Sequence, residues 1–151
     1  MKNFKEDKKM IKKRNTHKNI YKLNQLNTAI VINDMNTIME LLENNIDLNA
    51  PDTHGWYPMM YACEYGNVEV MKLLIHHGAS PNVIDLRTGY SLLMKLLSKK
   101  YYPNRYLLIK ELLQHGIDIN IISNTGKTAL YLARLNHPRY INMLKRYGAE
   151  I

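Results

Sequence analysis

A phrase that returns about every 33 residues constrains this chain more than anything else in it. "LLENNIDLN" at 41–49, "LLIHHGASPN" at 73–82, "LLQHGIDIN" at 112–120 and "MLKRYGAEI" at 143–151 each set an apolar pair before a Gly or Asn. A second phrase keeps step with it, as "DTHGWYPMMYA" at 52–62, "DLRTGYSLLMKL" at 85–96 and "SNTGKTALYLA" at 123–133. Such self-similarity marks stacked units, each unable to bury its apolar face alone. The turn glycines Gly55, Gly89 and Gly126 are 34 and 37 apart, and the helix-end glycines Gly78, Gly116 and Gly148 are 38 and 32 apart. In the first unit Asn33 and Asn45 stand 33 residues before Gly66 and Gly78, because asparagine tolerates the left-handed backbone better than other non-glycine residues. All seven glycines are thereby used by the frame, and none is left for a phosphate-cradling loop before a helix.

Each unit reads as two helices. Pro58 fits a first helical position, where its missing N–H costs nothing. The first helix then runs to about Tyr65 and the second from Asn67 to His77, with Val68, Met71, Leu74 and Ile75 on one stripe. In the fourth unit Thr128 caps the first helix and Pro138 opens the second. Helices this short are marginal alone, so neighbouring units must cover their apolar faces.

The totals narrow the class. At 151 residues the chain can bury roughly 70% of its unfolded surface without staples. Its single cysteine, Cys63, forms no internal disulfide, in keeping with a reducing compartment. No apolar run reaches the roughly 18 residues of a membrane span, and the basic start lacks the apolar core of a secretory signal. Residues 1–22 hold nine Lys or Arg against Glu6 and Asp7, a net of +7, which leaves +1 for everything after. Asn, Ile, Lys and Tyr make up 58 residues, a bias expected of AT-rich codons, so charge is discounted as a functional signal.

The second unit, "DTHGWYPMMYACEYGNVEVMKLLIHHGASPN", resembles an ankyrin repeat, and register extends the resemblance to four repeats at about 22–51, 52–84, 85–122 and 123–151. The resemblance implies an all-α solenoid of stacked helix-turn-helix units with short β-hairpin-like turns, preceded by a basic tail over 1–21. The family's Thr-Pro-Leu-His becomes Tyr57-Pro58-Met59-Met60, Ser91-Leu92-Leu93-Met94 and Thr128-Ala129-Leu130-Tyr131. The histidine that ties neighbouring repeats is absent, so fewer hydrogen bonds between repeats are expected, and methionine packing should loosen the stack. The third repeat carries about four extra residues within "SKKYYPNRY", 98–106.

Histidines do not make a reactive centre here. His76 and His77 are adjacent on a helix, about 100° apart, so they cannot chelate one ion as an i, i+4 pair does. They read as a solvated helix end, where positive charge is favourable. Cys63 falls at a small-residue helix position and reads as a buried structural thiol. No nucleophilic triad or carboxylate pair stands out. No catalysis, metal or cofactor is expected.

What the resemblance implies instead is contact with another protein. Trp56 and Tyr90 each follow a turn glycine, at the position the family projects from its hairpin tips, whereas Tyr57 and Tyr131 are accounted for as covers of the seams. By the same resemblance Thr53, His54, Glu64 and Tyr65 line the concave groove in the second repeat, Arg87, Thr88 and Lys99 in the third, and Thr125, Lys127 and Asn136 in the fourth. Aromatic anchors beside a few charges suit a binding hot spot. The alternative partner is nucleic acid or an acidic surface, reached only through residues 1–22, which otherwise read as a solvated leader. A monomer in the cytoplasm is expected, with the nucleus as the alternative address for a basic tail. The composition resembles that of ankyrin proteins of large DNA viruses, intracellular bacteria and protists, which implies a host-directed adaptor.

Overall fold

A computed structural model describes residues 19–150. The basic tail, with the nucleic-acid reading attached to it, falls almost wholly outside these residues. Helix α1 covers 19–32 and is already formed where the described residues begin. It is followed by α2 (Met35–Leu42), α3 (Pro58–Glu64), α4 (Val68–His76), α5 (Leu92–Ser98), α6 (Arg105–Gln114) and α7 (Ala129–Asn136), then by a 3-10 turn (Pro138–Tyr140) running into α8 (Ile141–Arg146). Odd and even helices pair as α3 with α4, α5 with α6 and α7 with α8, while α3, α5 and α7 pack in sequence and α4 packs on α6. The result is the expected stack of helical hairpins.

Local chemistry sets the helix starts. Asp34, Asn67, Ser91 and Thr128 each accept a backbone N–H three residues on, which satisfies one of the orphan donors of a helix N-terminus. Pro58 opens α3, as its fixed φ favours. Asn33 and Asn45 take positive φ, at 57° and 48°, and so does Asn104 at 51° before α6. Between the helices of the second repeat, Gly66 is required by space as well as by angle. A Cβ there would lie 2.6 Å from Pro103 Cγ, because the third repeat's long loop folds back onto it.

One continuous core threads the stack. Leu23, Leu26 and Ile38 supply it in the first repeat, Met59, Met60, Met71 and Leu74 in the second, Leu92, Leu93, Met94, Leu108 and Ile109 in the third, and Leu130 and Leu144 in the fourth. Met59, Met60, Met71 and Met94 are all at most 1% exposed, so the methionines at the family's Leu-His positions and in α4 are full core members. Asparagine supplies hydrogen bonds between repeats. Asn49 Nδ2 donates to Gly78 O at 2.9 Å while its Oδ1 accepts from Ser80 N at 2.7 Å. Asn120 repeats this on Gly148 O and Glu150 N, both at 2.9 Å, and Asn82 Oδ1 accepts from Asp118 N at 2.7 Å. These are the asparagines of the recurring phrase, placed so that a side-chain amide completes the backbone of the next unit.

Candidate binding surface

The turns that separate the repeats are built around one acid each in the second and third. Asp52 N donates to Trp56 O at 2.7 Å, Asp85 N to Tyr90 O at 2.9 Å and Ser123 N to Lys127 O at 2.9 Å, closing three short hairpins. Asp52 Oδ1 accepts from the N–H groups of His54 and Trp56 at 2.8 and 3.0 Å, and its Oδ2 accepts from the Tyr61 hydroxyl at 2.6 Å. Asp85 Oδ1 accepts from Arg87 N at 3.0 Å, and its Oδ2 pairs with Lys95 Nζ at 2.7 Å. Burial alone would raise both carboxyls; the hydrogen bonds from Tyr61 or Lys95 and from the turn N–H groups outweigh it and hold both below the usual carboxylate range. In the fourth repeat Ser123 takes the same post with its hydroxyl, accepting from Lys127 N at 3.0 Å.

Turns also stack on one another. Asn124 N donates to Thr88 O at 3.1 Å and Asn124 Nδ2 to Arg87 O at 3.2 Å. Gly89 has φ +70°, and a Cβ on it would come within 2.7 Å of Asn124 N, so only glycine allows this approach. Leu86 lies over Gly55, 4.0 Å from where a Cβ would stand.

Against this frame the sequence-derived residues divide. Thr53, His54, Tyr65, Arg87, Lys99, Thr125 and Asn136 are exposed. Trp56, Tyr90, Thr88, Lys127 and Glu64 are half-buried, and Trp56 and Tyr90 pack against the core. Trp56 is held on two sides, its ring 5.2 Å from that of Tyr61 and 4.5 Å from Lys95 Nζ. Both aromatics therefore cover a seam and keep an exposed remainder. Glu64 and Lys99 come together across the second and third repeats as an ion pair, and Glu64 Oε2 also accepts from the buried Tyr102 hydroxyl at 2.6 Å. Burial raises the Glu64 carboxyl, but the Lys99 and Tyr102 hydrogen bonds and the lysine charges bring it below its usual range. Asn136 Nδ2 donates to Leu97 O at 3.0 Å.

The long third-repeat loop is tied down by a group that sequence reasoning missed. Arg105, 6% exposed, donates to Lys99 O at 2.6 Å and approaches Lys100 O and His137 Nδ1 at 3.4 and 3.3 Å. Guanidinium only donates, so Nδ1 accepts, and His137 Nε2 must carry the proton it gives to Lys99 O at 2.8 Å. This pair of partners fixes the orientation of the ring. His76 and His77, by contrast, are exposed at the end of α4, their rings edge to face. Cys63 is buried, and burial pushes its thiol well up from its ordinary value, with Glu64 adding to the effect.

Sequence reasoning also missed Leu86 and Ile122, 65% and 67% exposed beside the third and fourth turns, and Tyr131, expected to cover a seam, is instead 50% exposed on α7. Leu86 could have been found, since an apolar residue inside a polar turn has nothing local to bury it. Among the described residues no helix is long and apolar enough to cross a membrane.

Known proteins carry the same pattern. A family described as ankyrin repeats (3 copies) matches residues 6–85. The ankyrin repeat, SAM and basic leucine zipper domain-containing protein 1 of Dasypus novemcinctus is 31% identical over 124 residues, 81% of this chain and 26% of that protein. An ankyrin repeat protein of Fowlpox virus (strain NVSL) is 30% identical over 130 residues, 85% of this chain and 29% of that protein. The chain thus spans little more than a quarter of the length of these relatives. Repeats of this kind are in general protein-interaction modules and non-catalytic. With four stacked helical hairpins, capped turns in register and this match, the chain belongs to the ankyrin repeat family.

Proposed function

We propose that this chain is an adaptor that binds a partner protein through its turn tips and the adjoining face of the first helices, without catalysis. The observation that carries the reading is the rigid register of the turns. Each of the last three is closed by a backbone hydrogen bond, those of the second and third repeats are fixed by a buried acid, and the last two are bonded tip to tip, while Leu86 and Arg87 stay exposed. A surface ordered before binding loses little entropy on association. Thr53, His54 and Arg87 are exposed on the turns that hold the half-buried rings of Trp56 and Tyr90, Thr125 is exposed on the turn of the fourth repeat, and Tyr65 is exposed at the far end of α3. The ring edges supply area and the polar groups supply orientation. The likeness to the fowlpox protein supports a host-directed role inside cells.

The test is affinity capture from cells with the intact chain, followed by titration of the captured partner. Trp56→Ala with Tyr90→Ala should weaken binding by at least about 2 kcal/mol, roughly 30-fold. Because both rings also pack on the core, each variant's melting curve is measured alongside, and Arg87→Ala and Leu86→Ala serve as surface variants without that liability. Undiminished affinity in all four would remove the turn tips from the interface.

A further inference from the structure

Along the row of second helices α4 packs on α6, whereas α6 faces α8 across a cleft, and only the first of these two seams is electrically closed. At the α4–α6 seam Lys72 Nζ meets Glu111 Oε2 at 3.7 Å. Lys72 stands six residues before Gly78, and Lys110 stands six before Gly116, so Lys110 repeats its position on α6. Glu111 stands five residues before Gly116, and the equivalent post before Gly148 is Met143. The carboxylate that closes the first seam is thus replaced by an apolar side chain in the second. There Lys110 shares a cleft of about 390 Å³ with Arg139, Arg146 and the Asn142 amide, over a floor of Leu113 and Met143. Tyr106 and Tyr147 flank it, about half exposed. Among the described residues none of the three cations has a carboxylate within ion-pair distance.

The imbalance extends beyond the cleft. Residues 98–151 hold nine Lys or Arg against Glu111, Asp118 and Glu150, a net of +6, whereas residues 23–97 hold three against eight acids, a net of −5. One of those three acids, Glu111, is already engaged by Lys72 and His115. A positive field therefore converges on a concave site whose missing charge is a carboxylate.

We propose that the α6–α8 cleft is a second docking site, which takes an acidic segment of a partner protein with a glutamate or aspartate side chain seated among Lys110, Arg139 and Arg146. The aliphatic stem of such a side chain lies on Leu113 and Met143, and its carboxylate accepts from Arg146 and from the N–H groups of Arg139 left over by its Nη2 bond to the Tyr140 hydroxyl at 3.0 Å. A nucleic-acid strand is the poorer fit, because its phosphates recur along a line and call for cations in a row, whereas these line a single open cleft. The site lies on the second helices, so it is independent of the turn-tip reading.

The experiment is fluorescence anisotropy with the whole chain and a fluorescein-labelled glutamate-rich dodecapeptide, with its glutamine counterpart as the uncharged control. Lys110→Glu with Arg146→Glu should weaken peptide binding at least ~10-fold, whereas the same charge change at Lys100→Glu with Arg134→Glu, outside the cleft, should cost less than ~3-fold. Equal losses in the two pairs would mean a diffuse field and overturn the site, and so would unchanged binding in both, which would assign the peptide to the basic leader. A single-stranded oligonucleotide that binds more tightly than the peptide, with the same dependence on Lys110 and Arg146, would overturn the acidic-segment assignment. Circular dichroism melts check folding, and the milder Arg146→Gln is read if the charge-reversed pair unfolds. Trp56→Ala should leave peptide binding unchanged, which separates a failure here from a failure at the turn tips.

Discussion

Removing Asp85 should cost this domain more than removing any exposed charge. Its side chain is 3% exposed and that of Lys95 is 15%, so the pair at 2.7 Å is largely withdrawn from water. Replacing Asp85 by Ala deletes the charge-assisted bond and the bond to the Arg87 N–H, and leaves the ammonium with the Trp56 ring 4.5 Å from Nζ. Breaking a buried pair from one side costs about 3–5 kcal/mol, since the surviving charge is stranded. Lys95 can extend its flexible stem toward solvent, which recovers part of this, so about 2–4 kcal/mol is expected. At roughly 4 °C per kcal/mol for a domain of this size, the melting temperature should fall by about 8–16 °C. Urea unfolding of Asp85→Ala, Lys95→Met and the double variant measures the coupling directly, expected above about 1.5 kcal/mol. The pH dependence has a fixed sign. Asp85 titrates lower in the folded state than the roughly 3.9 of an unfolded aspartate, so its stabilisation is present above about pH 4 and is lost as pH falls through the folded value. Asp85→Ala should therefore flatten the acid limb of the stability curve. Additive single and double variants, coupled by less than about 0.5 kcal/mol, would show that the pair is a geometric coincidence and refute the argument.

Two further outcomes follow from packing alone. Gly89→Ala should destabilise by about 2–3 kcal/mol in urea titration, because φ is +70° and the new methyl meets Asn124, whose N–H holds the fourth turn to the third. Cys63 should resist alkylation in the native protein and react at the rate of unfolding, followed by mass spectrometry, because its thiol is 1% exposed and burial keeps it protonated.

Much of the fold was legible because it rests on residues with few conformational alternatives. Asn33 and Asn45 could be placed from spacing, since only a short polar side chain substitutes for glycine at positive φ. The cap at Thr128 was equally plain, and so was the start of α4 at Asn67, which caps it. The partners of the turn acids were not. Tyr61 and Lys95 sit at one register position and do the same work on Asp52 and Asp85, one with a phenol and the other with an ammonium, so no motif links them. Arg105 and His137 are 32 residues apart and meet only because the long loop turns inward, a path that depends on Tyr102 and Pro103 finding Glu64 and Gly66. Trp56 and Tyr90 lie beside the turn glycines, but their contacts with the core depend on neighbours that spacing does not reveal.

The inserted loop alters the energetics of the stack as well as its outline. In an array of repeats, stability is the sum of what each unit contributes and what each seam contributes. The seam between the first two repeats relies on asparagine contacts such as Asn27 to Asp52 and Asn49 to Gly78. The loop from Lys99 to Asn104 adds to both later seams at once. Toward the second repeat it contributes the Lys99 and Tyr102 bonds to Glu64 and the Asn104 bond to Gly66 O at 2.8 Å; toward the fourth it offers the Lys99 carbonyl to His137. Arg105 fixes the loop between them by holding two of its carbonyls, without a carboxylate of its own among the described residues. A buried guanidinium bound only to neutral acceptors is stabilising only while the backbone keeps this path, so the loop and Arg105 form or fail together. Among the described residues the loop thus gives the two later seams bonds beyond the asparagine contacts, so repeats two to four are expected to open together in native-state hydrogen exchange.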